Sequence, residues 1–431
     1  MSVADQSTRL RAERLATLSS CCGFLGETVL TDSAVILLFA GMLGAGEMLS
    51  LLTTAVLPLL NGLCILPMAL LAMRIGMRKL IYTACVCASL AYFVAACAPF
   101  AGSAKVAVLT GAVFCFALSL TGFIAGWFPL LDSFLTPERR TGFLSRMRFC
   151  HQLGATLFLL LVGLLIGRSP SVGELQTVLF VAAVIFTGRG IAIGRIPRFE
   201  MTRPDSPGVV AGIRTALGNG PLVGFSLYCF GVNLAGCGAV PLTILYLKNG
   251  LQTPDNVVVL ISACSLAGML FGYLGTGPLL RLFGLRNTFL LLHLLFFLVN
   301  AGLFVVRDDG TASRVFVATL LMAGSFATAS FSIVASAEMM KLAKPGNKVM
   351  AMAFNGVFFY GGSGVSRFLS SLLLGAGLFA AEWKFGTMTV CRYQTFFLVY
   401  AVAALLAAPF LLLVPAVNPE KFYGWSSPED F

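Results

Sequence analysis

Apolar residues recur in unbroken blocks of about 20, long enough as helices to cross a hydrocarbon core about 30 Å thick. Val106–Leu131 is one such block, and Leu291–Val306 with its flanks is another. Neither leaves a polar face for water. In hydrocarbon a chain must satisfy its backbone hydrogen bonds internally, so each block predicts a membrane-spanning helix. Composition agrees: 58% of the 431 residues are apolar and 11% charged, against about 25% charged in a soluble domain. A water-soluble fold is excluded, and the fold class expected is an all-α integral membrane protein.

Polar punctuation divides the chain into twelve expected spans, near 17–42, 48–73, 79–99, 104–131, 143–167, 174–195, 220–247, 255–280, 286–306, 313–340, 348–376 and 394–414. The net charge of +11 could suit nucleic acid, but in a membrane protein cytoplasmic loops collect Lys and Arg. Sorting all 29 cations by alternate loops puts 21 on the side of both termini, including Arg9, Arg11, Arg14, Arg139, Arg140, Arg189 and Arg195. Seven fall on the opposite side, and Arg367 stays inside a span. The bias predicts a multi-pass protein of the cell membrane, a bacterial inner membrane in this reading, with both termini cytoplasmic. No A-x-A cleavage site follows the N-terminal arginines, so the first span is read as uncleaved.

The stretch "RIPRFEMTRPDSPGVVAGIRTALG" is the one long polar interval near the middle. It predicts a cytoplasmic linker, residues 196–218, between a six-helix bundle at 1–195 and another, with a short tail, at 219–431. Adding 208 carries Leu43 to Leu251, Glu47 to Asp255, Gly76 to Gly284, Arg78 to Arg286, Pro137 to Pro345 and Gly167 to Gly375. An ungapped offset over four spans marks an internal duplication. Six spans is an even number, so the copies are expected to be parallel repeats.

The offset brings two loops into register, "ALLAMRIGMRK" and "GPLLRLFGLRN". Here the chain resembles the major facilitator superfamily of secondary transporters, whose loops follow G-x-L-x-D-R-x-G-R-R/K. Arg74, Gly76, Arg78 and Lys79 match in the first copy; Gly277, Leu279, Gly284 and Arg286 match in the second. The acidic position is Met73 in one and Arg281 in the other, a departure from the family's cytoplasmic latch. The resemblance implies a central site between the halves, made by spans 1, 4, 5, 7, 10 and 11. The plainer reading of these cations is positive-inside charge alone.

Ionisable groups inside spans are costly and mark candidate sites. Asp32 and Glu27 lie in the first span. Five residues separate them, about 140° around a helix, so both cannot point straight into one cavity, and Asp32 is nearer the middle. In the eleventh span Gly356, Tyr360, Ser363 and Arg367 form one polar stripe. Asp32, Trp127, Asn233, Tyr360 and Arg367 are therefore the expected substrate-binding residues, and Glu27, Arg148 and His151 the expected coupling or gating residues. His293, in a Leu/Phe run, reads as a helix–helix contact, and the pairs Gly122/Gly126 and Gly268/Gly272 as close packing.

No P-loop, H-E-x-x-H or G-x-S-x-G occurs, so no enzyme is expected. The 12 cysteines lack zinc spacing, and no metal or cofactor is expected. The function expected is alternating-access secondary transport of a small polar solute, anionic in one reading, coupled to a proton or sodium ion by a monomer in the lipid bilayer. Efflux of amphiphiles, or a sensor built on a transporter scaffold, is the alternative.

Overall fold

A computed structural model describes residues 3–197, 199, 209–344 and 346–413. Arg198, Arg203, Pro345, Lys421 and much of the expected linker lie outside them. The first crossing is two helices, α1 (Val3–Thr31) and α2 (Ala34–Met42), bent by 42°. α3 (Glu47–Ile75), α4 (Met77–Ala96), α5 (Lys105–Asp132), α6 (Pro137–Leu165) and α7 (Val172–Gly194) follow, and then short α8 (Val209–Leu217). The seventh crossing is again broken, into α9 (Gly220–Gly236) and α10 (Ala239–Leu245). α11 (Asp255–Val305), α12 (Thr311–Leu342) and α13 (Lys348–Gly375) come next. A small antiparallel hairpin, β1 (Glu382–Phe385) and β2 (Met388–Cys391), turns at Gly386 (φ 60°) and leads into α14 (Arg392–Ala407).

Among the described residues ten helices are long and apolar enough to cross a bilayer, and the α1/α2 pair makes an eleventh crossing. α11 has 51 residues, about 75 Å at 1.5 Å per residue, more than twice the hydrocarbon thickness. It folds back at Gly284, where φ is 71° and ψ 176°, and so supplies the eighth and ninth crossings. That brings the crossings to twelve, as the apolar blocks predict. Gly76, 208 residues earlier, has φ 89° and ψ 133°. Both glycines sit where a Cβ is strained, which is why the two short loops match.

The halves repeat the same pairings. Crossing one lies against five and six, two against four, and three against four and six. Seven lies against eleven and twelve. Eight meets ten where a Cβ on Gly268 would come within 2.1 Å of the Met322 carbonyl oxygen. Nine meets ten at Gly302 and Leu320, and meets twelve through Gln394, which donates to the Phe304 and Val306 carbonyls at 2.8 and 2.9 Å. Each second-half pair is a first-half pair with six added, the order required of parallel repeats. The Tyr228–His293 hydrogen bond, 2.9 Å, makes His293 the interhelical contact expected of it.

Two seams join the halves, α3 against α13 and α6 against α11. At the first, backbones touch: a Cβ on Gly62 would meet Gly361 at 2.8 Å, and one on Gly364 would meet the Leu59 amide at 2.5 Å. Several of the bonds that join the halves lie at one end of the molecule. There Glu47 accepts from Asn249 (3.1 Å), Arg392 (2.8 Å) and Tyr393, Ser371 donates to the Met48 carbonyl (2.6 Å), and the Asp255 amide donates to the Arg168 carbonyl (3.0 Å). The larger apolar core runs the length of the first half and continues into the second half at this Glu47 end. A second cluster, around Leu222, Phe225, Phe289 and Phe331, lies toward the Gly76 end and belongs to the second half alone. Among the described residues no hydrogen bond links the halves at the Gly76 end. Among the described residues the hydrogen bonds that join the halves lie at the Glu47 end and at mid-depth.

The paired glycines give the first prediction. Gly76→Ala and Gly284→Ala should each lower the melting temperature of the purified protein, by about 1–3 kcal/mol of backbone strain. Gly277→Ala, whose Cβ would meet nothing within 4 Å, should leave it unchanged. Equal melting of all three would reject the assignment of these loops.

Candidate functional site: an ion pair between two broken helices

Two prolines create the centre of the molecule. Proline lacks an N–H, so the carbonyl four residues before it loses its helical donor. In α3, Pro58 orphans the Thr54 carbonyl; after the break between α9 and α10, Pro241 orphans that of Cys237. Arg367 of α13 answers both. Its Nε donates to the Cys237 oxygen at 3.2 Å and its Nη1 to the Thr54 oxygen at 3.0 Å. Nη1 also donates to Asp32 Oδ1 at 2.7 Å, in the gap between α1 and α2. Ser33 fixes that gap by accepting from the Val35 amide (3.2 Å) and donating to the Val29 carbonyl (2.9 Å), a helix cap inside a crossing.

Arg367 thus holds three crossings and both halves at once. Its side chain is 12% exposed and that of Asp32 44%, so the pair opens toward water on the acidic side. Asp32 Oδ2 and Arg367 Nη2 have no hydrogen bond among the described residues. The pair lies about 12–15 Å from the helix ends at the Glu47 side at helical rise, near the middle of a bilayer.

Glu27 takes a different partner. It lies 3.6 Å from Arg189 Nη2 of α7, inside the first half. Arg189 corrects the sequence reading, which counted it among loop cations: it is 4% exposed and sits well within the sixth crossing. Phe123 stacks beneath its guanidinium at 4.2 Å. A Cβ on Gly23 would lie 1.5 Å from Arg189 Nε, so glycine there is what admits the arginine. The bend after Thr31 lets Glu27 and Asp32 serve separate arginines while staying within electrostatic reach of each other.

The other expected residues spread over three levels. His151 is held by Ser20 (2.8 Å) and stacked on Phe24 at 4.2 Å. The next residue, Gln152, donates to the Leu266 carbonyl across the second seam at 3.0 Å. Arg148 and Tyr360 are half-buried on the face toward the Gly76 end, and Tyr273, which the sequence reading passed over, stands with them. Trp127 is buried in a stack on Phe123, centroids 5.1 Å apart. Asn233 is buried and engaged within its own helix, with Cys229 and Cys237. Arg78 caps the C-terminus of α7, donating to the carbonyl of Ile196. Arg74, Lys79 and Arg286 are exposed, and Gly277 lies within α11.

No protein-family model matches the sequence, and no curated protein does either. Solved structures do. The chain is similar to the nucleoside transporter NupG, at 12% identity and a TM-score of 0.68 over 94% of this chain and 98% of that one. It is similar to a D-xylose-proton symporter, at 13% identity and 0.70 over 93% and 97%. A bacterial homologue of the iron transporter ferroportin, in its inward-facing state, matches at 14% and 0.63 over 96% and 99%. The chain shares the fold of these solved transporters, a multi-pass membrane architecture.

The proline-orphaned carbonyls give the second prediction. Arg367→Met should lower the melting temperature, because two buried carbonyls and Asp32 lose their donor, each carbonyl at about 1–3 kcal/mol. Adding Pro58→Ala and Pro241→Ala returns the two amide donors and should recover part of the loss. No recovery would show that Arg367 does not answer those carbonyls.

Proposed function

We propose that the protein is a secondary active transporter that moves a small polar solute by alternating access. The observation that carries this reading is the Asp32–Arg367 pair, which joins the two halves at mid-depth, at helix breaks, below an end where hydrogen bonds hold the halves together. Broken helices at the midplane place free backbone groups and charges beside a solute without exposing them to lipid. The fold, shared with a nucleoside transporter and a D-xylose-proton symporter, supports the same reading.

The bundles are residues 1–195 and 219–431, joined by a cytoplasmic linker at 196–218. The Gly76 end, where α1 begins and α14 ends, faces the cytoplasm of a bacterial cell, and the protein works as a monomer in its inner membrane. It carries out no covalent chemistry. A proton is the coupling ion: its binding to Asp32 removes the negative partner of Arg367 and loosens the one ion pair that spans both halves at mid-depth. A solute group that takes the free face of Arg367 does the complementary work, so occupancy of the two is linked.

Asp32→Asn keeps the shape and removes the titration. In proteoliposomes it should abolish pH-driven accumulation of the transported solute while leaving counterflow, which needs no driving ion. Unchanged accumulation would reject Asp32 as the coupling residue and leave Glu27 and His151 to be tested in the same way.

A further inference from the structure

Glu27, Asp32, Arg148, Arg189 and Arg367 stand well inside the described crossings. Asp32 neutralises Arg367 and Glu27 neutralises Arg189. The fifth, Arg148, has no ion pair and no hydrogen bond among the described residues, and it is half-buried. A cation left uncompensated beside low-dielectric walls attracts an anion.

Geometry gives that anion further donors. Among the described residues the Gln152–Leu266 bond is the hydrogen bond between α6 and α11 that lies nearest the Gly76 end. Arg148 lies one turn beyond Gln152 on the same face of α6. Tyr273 lies two turns beyond Leu266 on the same face of α11. These helices run antiparallel, so both residues fall just past that bond, on facing sides of the seam. Tyr360 lies two turns beyond Arg367 on α13, in the same direction. All three stand about 22–27 Å from the helix ends at the Glu47 side at helical rise, on one level. Each tyrosine is within electrostatic reach of Arg148, and Tyr360 first of Glu27, whose charge Arg189 takes up. Neither phenol hydroxyl makes a hydrogen bond among the described residues.

We propose that Arg148, Tyr273 and Tyr360 form a binding site for a monoanionic carboxylate, about 10 Å closer to the Gly76 end than Asp32–Arg367. A planar guanidinium matches a carboxylate in two parallel hydrogen bonds, and two phenol donors fill its remaining lone pairs. The charge balance selects a monoanion: a dianion such as a phosphate monoester would leave one surplus negative charge in the cavity. Lying on the Gly76 side of the central pair, the site is the first station of a solute that enters from, or leaves by, that end. That role rests on the transport reading above; occupancy of the site does not.

Iodide serves as a generic monovalent anion, because it reports the site whatever the natural solute is. Anomalous diffraction from iodide-soaked crystals of the full chain should place a peak among the three side chains. The peak should vanish in Arg148→Gln, persist in Arg148→Lys and weaken in Tyr273→Phe and Tyr360→Phe. Acetate, lactate and benzoate should displace it, and their amides should not; Arg148→Gln should weaken carboxylate binding by about 10–100-fold. No peak at Arg148, or one that survives Arg148→Gln, overturns the site. Displacement by amides, or better by sulfate than by carboxylates, overturns the ligand class. If the site binds as described but reconstituted protein exchanges no solute from charged or neutral panels, the transport reading falls and the site stands. If a neutral solute is transported equally well by Arg148→Gln and no iodide binds, the site falls and the transport reading stands.

Discussion

A single guanidinium answers two carbonyls that prolines have stripped of their donors, and a carboxylate completes its shell. Arg367 lies on the eleventh crossing, the carbonyls on the second and seventh, and Asp32 on the first. A buried charge is costly unless it is hydrogen-bonded and paired, so these four crossings are tied to one arrangement around it. The breaks are functional geometry in the same sense. Ser33 caps α2 within a crossing, and Gly238 lets Tyr400 approach where a Cβ would stand 1.8 Å from its hydroxyl. Without Arg367 the breaks would leave unsatisfied backbone in the middle of the molecule.

Around that centre the two seams behave differently along their length. Toward the Glu47 end the halves share bonds, and the repeat places an acid at each seam. Glu47 begins the second crossing and is held by Asn249, Arg392 and Tyr393. Asp255, its equivalent 208 residues on, begins the eighth, pairs with Lys248, and anchors its amide on Arg168. Toward the Gly76 end the second half keeps its own apolar core, and the bonds run within halves: Arg139 to Glu13 (3.1 Å), Asn219 to the Leu342 carbonyl (2.7 Å) and Asn347 to the Gly212 carbonyl (2.9 Å). A rocking motion about the centre therefore exchanges few interactions inside each half, and the cost falls on the Glu47 clasp and the Asp32–Arg367 pair.

Much of this was legible in the sequence, for physical reasons. Apolar blocks leave one solution in lipid, so the twelve crossings followed from length alone. The shared offset of Gly76 and Gly284 read as a repeat because a strained backbone position admits little but glycine. Asp32 and Arg367 stood out because ionisable groups are rare at that depth. Arg189 did not, because it lies five residues from the end of its helix beside true loop arginines, and only the room at Gly23 shows which way it points. Tyr273 carried no signal, since a lone tyrosine in a span is as well explained by packing. The orphaned carbonyls were open to view: Pro58 and Pro241 each name a carbonyl four residues back. What the sequence withheld was that both face the same arginine.

The central claim is that two rigid halves rock about the Asp32–Arg367 level, so that one end closes as the other opens. Pairs of spin labels on exposed positions measure this directly, Phe100 with Val315 at the Glu47 end and Ser145 with Leu282 at the Gly76 end. Distances from pulsed electron resonance should be compared between the otherwise native protein and Glu47→Gln, which weakens the clasp. The account predicts that the Phe100–Val315 distance lengthens while Ser145–Leu282 shortens. Distances that lengthen together, or a Glu47 end that opens with the Gly76 end unmoved, would contradict it.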